Sequence, residues 1–382
     1  MTTRRRLLIA AAAGATLTPA LAFAQEAGEM FAAQTGDLGI VLSPEQLAAG
    51  TAFLRKHASV DIHCHPGRFF LRDLPADSPL ARAAGAPFED AVAADMGESC
   101  VSGALFASVA DLPLLELSAT TGLRAGREFL PGEAWRDYRR QLAVLEALVG
   151  SGSVSRGLDV ADIDTARCSG KTACVFSVEG GDFIEDRLER VAQAHRDGVR
   201  AITIVHFHTN QIGDPQTEAP RWNGLTPLGR DIVRAMNQAG ILVDLAHASF
   251  DTTKQAAEVS DRPMMISHTN LQTPDNRHPR LVSLEHARLV TESGGIVGSV
   301  PWGIGQRSFG DWIEAILGLI EAVGVDHVAV GTDMDANFRP VFADYSRWGL
   351  IPAALLARGL TEEETAKVVG GNFLRLMAAQ RG

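Results

Sequence analysis

The segment Ser59-Val60-Asp61-Ile62-His63-Cys64-His65-Pro66-Gly67 carries a short apolar strand straight into two histidines spaced i, i+2. Side chains alternate faces along a strand, so His63 and His65 point the same way, while Cys64 points away and reads as structural. Two neutral imidazoles converging at a strand end suit a transition metal. An exposed loop could carry the same pair without any such role, so the remainder of the chain has to decide.

Five more apolar runs end in residues of the same chemistry: Val178-Glu179, Val205-His206, Ala246-His247, Ser267-His268 and Thr332-Asp333. Each has an ordinary explanation when taken singly. Glu179 could solvate a turn, His247 or His268 could be a satisfied core histidine, and Asp333 could cap a helix. Their recurrence at one structural depth, each at the end of a strand, points to a ring of ligands. His208, two residues past His206, already lies in the following loop and is a weaker candidate. His57, His195, His278, His286 and His327 fall in helical or loop patterns and read as surface residues. Four histidines and two carboxylates (His63, His65, His247, His268, Glu179 and Asp333) exceed what one tetrahedral ion needs. Two metals sharing a carboxylate, about 3.5–4 Å apart, use them most simply. Imidazole-rich ligation suits zinc first, with iron, cobalt, nickel or manganese as alternatives.

These residues need a scaffold that brings many strand ends together. Strand-like runs occur at 60–63, 102–109, 173–178, 201–206, 241–245, 264–267, 296–300 and 328–331. Helical patterns lie between them at 88–98, 135–149, 187–196, 227–238, 250–259, 283–292 and 309–322. Continuous apolar strands alternating with helices indicate a parallel sheet covered by helices, and eight such units predict an α/β fold, a (β/α)₈ TIM barrel. Ser43, Pro44 and Gln46 open an N-terminal helix reaching about residue 57. Helices at 353–358 and 361–377 are expected to pack outside the barrel. The longest irregular stretches, 66–87, 111–132, 207–225 and 269–281, all follow strands, where a barrel builds its catalytic face.

The ends and the composition narrow the function classes. Arg4-Arg5-Arg6 precedes a short apolar run ending Ala22-Phe23-Ala24, so residues 1–24 read as a twin-arginine-type export signal and residues 25–382 as one barrel domain. Export through that route implies a periplasmic location. No later stretch has about 18 consecutive apolar residues, so no membrane span is expected after signal removal. With 382 residues, 46% hydrophobic, and a net charge of -11, the chain lacks the basic surface that nucleic-acid binding requires. Four cysteines are too few for a disulfide scaffold; Cys168 and Cys174 are near in sequence, but Cys174 sits in an apolar strand, which argues against their pairing.

The set resembles the membrane (renal) dipeptidase family of binuclear zinc metallopeptidases, within the wider amidohydrolase-like barrels. The resemblance rests on Asp61-Ile62-His63-Cys64-His65, Val178-Glu179-Gly180, Thr203-Ile204-Val205-His206, Val243-Asp244-Leu245-Ala246-His247, Ile266-Ser267-His268 and Gly331-Thr332-Asp333-Met334-Asp335, which occur in the family's order. Gly224-Leu225-Thr226-Pro227 and Gly370-Gly371-Asn372-Phe373 add to it. It implies two zinc ions per chain, a small dipeptide substrate, a homodimer, and hydrolysis by a water or hydroxide bridging the two ions. It further implies that His63 binds the first ion, Glu179 bridges, His247 and His268 hold the second, and Asp333 sits beside the first as the base. His206 would contact the substrate and its tetrahedral intermediate. Arg280 would grip the substrate's terminal carboxylate, although Leu281 stands where the family has Asn and Arg277 is a nearby competitor.

The chain departs from the family at His65, where Asp is usual. An imidazole there replaces an anionic ligand by a neutral one, leaving an ion pair about one unit more positive and its water more acidic. A lactonase, an N-acyl amino acid deacylase or a phosphotriesterase-like enzyme could use the same barrel. Several of those bridge their metals with a modified lysine, and no lysine ends a strand here. A non-catalytic exported metal carrier is the remaining alternative, supported only by His65.

Overall fold

The computed structural model describes residues 31–34, 36–74, 85–118 and 122–380. The leader-like residues 1–24 lie outside the described residues. Eight parallel strands run in chain order: β1 (Val60–Cys64), β2 (Gly103–Val109), β3 (Ala173–Glu179), β4 (Val199–Thr203), β5 (Leu242–Asp244), β6 (Met265–Thr269), β7 (Ile296–Ser299) and β8 (Val328–Val330). Around them stand α1 (Pro44–Lys56), α2 (Glu89–Glu98), α3 (Glu133–Ser151), α4 (Val160–Cys168), α5 (Glu189–Arg196), α6 (Pro227–Ala239), α7 (Phe250–Val259), α8 (Leu284–Thr291), α9 (Phe309–Val323), α10 (Leu350–Ala357), α11 (Glu362–Ala366) and α12 (Asn372–Ala379). This is the expected (β/α)₈ arrangement.

Alternation along the strands divides the apolar residues into two cores. Ile62, Leu105, Val175, Ala201, Leu242, Met265, Ile296 and Ala329 point into the barrel. Their neighbours Phe106, Phe176, Ile202, Val243, Ile266, Val297 and Val330 meet the helices outside. Several helices start where the sequence supplies a capping oxygen: Ser43, Thr226, Ser249, Ser283 and Ser308 each accept a backbone N–H of the first turn. Gly298 and Gly331 face the Ser267 carbonyl so closely that a Cβ at either would collide with it.

The seam between β8 and β1 positions part of the site. It is closed beyond the regular strands by an isolated bridge between Cys64 and Met334 and by Asp333 N donating to His63 O at 2.8 Å. The buried Asp61 carboxylate reinforces it, accepting from Thr332 N at 3.0 Å, Thr332 Oγ1 at 2.5 Å and Tyr345 Oη at 2.8 Å. Burial pushes Asp61 up to about 6, against the pull of those donors.

Four expectations need correction. The last helix does not lie outside the barrel: Phe373, Leu376 and Met377 join the interior core and plug the end remote from the site. The helix reaches that position through a five-residue π-helical stretch, Lys367–Gly371, which shifts its apolar face. The stretch 111–132 is not wholly irregular, since Leu115–Ser118 pairs antiparallel with Gly122–Ala125. β4 ends at Thr203, so His206 lies in the bend beyond it. His286 is buried, 4% exposed, with Nε2 2.7 Å from Thr253 Oγ1. All four cysteines are free thiols, Cys174 buried and Cys168 exposed. No described helix is long and apolar enough to cross a membrane.

A candidate metal centre at the strand ends

Glu179, at the end of β3, lies at the middle of a ring of histidines. Its carboxylate oxygens lie 3.4 Å from His63 Nε2, 3.4 Å from His65 Nε2, 3.3 Å from His206 Nε2, 3.1 Å from His247 Nε2 and 3.5 Å from His268 Nε2. Asp333 completes the ring, its Oδ1 3.3 Å from His65 Nε2 and 4.0 Å from His63 Nε2. The histidines and Glu179 are almost fully buried, whereas the Asp333 side chain keeps 18% exposure. His247 and Asp333 both have left-handed backbone, with φ of 63° and 54°. That conformation is uncommon for residues other than glycine, and here it turns two strand-end side chains toward the ring.

Neighbouring groups select the ring nitrogen that each imidazole presents. His65 Nδ1 lies 2.7 Å from Ala107 O, which can only accept, so Nδ1 carries a proton and Nε2 is the nitrogen that faces the ring. Ser267 Oγ stands 3.3 Å from His63 Nδ1 and 2.9 Å from His268 Nδ1, where it can accept from both. His206 differs: its Nδ1 meets the buried Asp111 carboxylate at 2.6 Å, and Phe207 N donates to the same side chain at 3.1 Å. A third carboxylate, Asp244, holds the β4–β6 side by accepting from Thr203 Oγ1 at 2.6 Å and Ser267 N at 2.9 Å.

The electrostatics divide the ring. Burial alone would raise Glu179, but His206, His63 and His247 hold it well below the usual carboxylate range. Burial would lower His65, yet hydrogen bonds and charges from Asp333 and Glu179 raise it to about 10. His247 and His268 are pushed well down by burial, by the Arg280 cation and by neighbouring histidines. His206 is raised, with Asp111 and Glu179 overcoming its burial.

The donor set fits a pair of metal ions. His63, His65 and Glu179 form one triad, and Glu179, His247 and His268 form a second; within each, the ligand atoms lie within 4.8 Å of one another. His63 Nε2 is buried without a hydrogen-bond partner. Lone pairs of imidazole nitrogens facing carboxylate oxygens at these distances repel unless a proton or a cation lies between them.

The other sequence candidates also fall into place. Arg280, on the loop after β6, is buried with Nη2 3.0 Å from His268 Nε2 and Nη1 2.9 Å from Gln216 Oε1, whereas Arg277 is exposed. His208 stands apart, bonded through Nδ1 to Asp182 at 3.0 Å with Nε2 3.3 Å from Glu128. Sequence reading missed Asp61, Asp111, Asp244, Ser267 and Gln216. Asp111 had a usable signal: it follows a predicted strand at the depth where the other strands carry ligands.

Fold and site together define a parallel (β/α)₈ barrel with a histidine–carboxylate cluster able to hold metal ions at the C-terminal ends of its strands. Residues 91–381 match the family model described as membrane dipeptidase (peptidase family M19). The chain belongs to that family. The matched stretch begins after β1, so His63 and His65 precede it. The dipeptidase tcpJ of Claviceps purpurea (strain 20.1) is 31% identical over 218 residues, covering 55% of this chain and 51% of that protein. The match thus spans about half the length of that curated relative. Among solved structures, the probable dipeptidase PvdM from Pseudomonas aeruginosa superposes with a TM-score of 0.72 at 19% identity, covering 89% of this chain and 99% of that one. A metallo peptidase from Rhodobacter sphaeroides, liganded with a phosphinate mimic of the dipeptide L-Ala-D-Ala, gives 0.68 at 21% identity, covering 85% and 99%. At such identities these two likenesses speak for the fold alone.

Proposed function

We propose that the protein is a metal-dependent dipeptidase holding two zinc ions, one on His63, His65 and Glu179 and one on Glu179, His247 and His268. The observation that carries this reading is the pair of triads sharing Glu179, with the Arg280 guanidinium at their edge. Two zinc ions bound there would acidify a water and polarise the scissile carbonyl.

The chain's own residues supply the remaining chemistry. Asp333, the ring member open to solvent, accepts the proton of the attacking water and returns it to the leaving amine. His206, oriented through Nδ1 by Asp111, presents Nε2 to the oxygen that becomes negatively charged. Arg280 binds the terminal carboxylate and so restricts substrates to short ones. His65 serves as a ligand in place of the family's Asp, because the Ala107 carbonyl fixes the tautomer that metal binding needs.

Metal analysis coupled to a substrate panel tests the reading. The panel holds L-L and L-D dipeptides, including L-Ala-D-Ala, which the ligand of the Rhodobacter relative mimics. N-acyl amino acids and lactones are the controls. Hydrolysis of dipeptides at two zinc ions per chain is expected; protein verified to hold two metals that cleaves none of them would end the proposal. Export through a twin-arginine signal is part of the same proposal, and replacing Arg4 and Arg5 with Lys should leave precursor in the cytoplasm. A homodimer is expected from light scattering in solution.

A further inference from the structure

Arg280 is buried, and burial pushes its guanidinium down to about 10 while Glu179, Asp333 and Asp244 partly offset that. No ion pair among the described residues includes it. Its close partners are instead an amide, an imidazole and a ring: Gln216 Oε1 at 2.9 Å, His268 Nε2 at 3.0 Å, and Trp302, whose centroid lies 5.6 Å from Cζ. An amide oxygen can orient a guanidinium without neutralising it, which keeps the charge available to a carboxylate arriving from outside.

Gln216 is itself firmly placed. Its backbone N donates to His247 O at 2.6 Å, and the preceding Pro215 bridges Ala248. The buried Asp214 anchors the same loop: its carboxylate accepts from the backbone N of Arg221, Trp222 and Gly224 at 2.9–3.1 Å. Asp214 O accepts from Ser249 N at 3.0 Å and Thr252 Oγ1 at 2.8 Å, tying the loop to the start of α7. One short segment therefore grips the His247 backbone with its own backbone and the Arg280 side chain with its side chain.

We infer that Gln216 is a positioning residue for substrate, holding Arg280 at a set distance from the His247 side of the site so that a terminal carboxylate is bound one residue beyond the scissile bond. This rests on the dipeptidase reading and deepens it. Glu at this position would form an internal ion pair with Arg280 and compete with substrate.

The test compares a dipeptide with its C-terminal amide on the zinc-loaded full chain in wild type, Gln216→Ala and Gln216→Glu, with metal content measured for each. Gln216→Ala should raise KM for the dipeptide about tenfold, with kcat within about twofold and two metals retained, while leaving the amide unaffected. Gln216→Glu should raise KM for the dipeptide further, to about a hundredfold. An unchanged KM in both variants, or an equal rise for dipeptide and amide, overturns the inference. A wild type that cleaves neither compound removes the dipeptidase reading instead. Calorimetric binding of the dipeptide then decides Gln216 separately: weaker binding to Gln216→Ala sustains its role and equal binding ends it.

Discussion

His65 and His268 both present Nε2 to Glu179, at 3.4 and 3.5 Å, and both are buried, yet their surroundings drive them in opposite directions. His65 faces Asp333 and Glu179, which overcome its burial and raise it to about 10. His268 is pushed well below its ordinary value by burial, by His63 and, to a smaller degree, by the Arg280 it faces. The two triads thus share a carboxylate and differ in what flanks them, an anion on the β1–β8 side and a cation on the β5–β6 side. Under the proposed function, that difference would give a peptide a direction, with its terminal carboxylate beside Arg280 and proton transfer beside Asp333.

Glu179→Gln tests what the halves share and has the largest expected effect. Metal content should fall from two ions toward none, and kcat/KM by at least about a thousandfold. Retention of both ions would mean that the triads do not depend on one another. Asp333→Asn tests the anionic flank: kcat should drop by about 10²–10⁴ with little change in KM, and the His247–His268 side should keep its ion by metal analysis. A KM effect instead would move Asp333 from proton transfer to binding.

His65→Asp sharpens the comparison by adding the negative charge usual in the family. Affinity for the first ion, titrated against a chelator, should rise roughly tenfold while the second stays within about twofold. Equal changes at both positions would show that charge spreads across the whole centre. His286 is the control outside the site, with burial alone pushing it down to about 4. Between the unfolded value of about 6.5 and about 4, the unfolded chain binds a proton that the folded chain refuses. Stability should therefore fall on acidification, by about 2 kcal/mol from pH 7 to pH 5 through this residue. Denaturant unfolding at both pH values should show that slope flattened in His286→Gln.

Much of this arrangement was legible in the residues. Strand-end chemistry marked His63, His65, Glu179, His206, His247, His268 and Asp333, and the ring contains all seven. These residues were legible because each ends an apolar run. Alternation sets the face of Glu179 on β3, whereas β1 carries a register shift between Asp61 and Cys64, and His206, His247 and Asp333 lie beyond the ends of their strands. The reading failed where a role depends on a distant partner. Asp111 and His206 are 95 positions apart, Gln216 and Arg280 are 64 apart, and Asp61 and Thr332 are 271 apart. No local pattern links such pairs. The burial of His286 and the inward turn of α12 escaped for a related reason: an amphipathic helix shows that one face is covered, but not by which neighbour.

The sequence by itself determined the alternation of strands and helices, the ligand types at the strand ends, and the replacement of a family carboxylate by His65. These follow from side-chain chemistry and from periodicities that neighbouring residues set. Only the tertiary structure decided that Ala107 O turns His65 Nε2 inward, that Asp333 and Arg280 flank opposite triads, and that Gln216 joins His247 to Arg280. Hydrogen-bond direction and charge asymmetry arise when the barrel closes and brings remote strand ends within a few ångströms. In that buried space each neighbour acts strongly, and its identity matters more than the residue's own intrinsic preference.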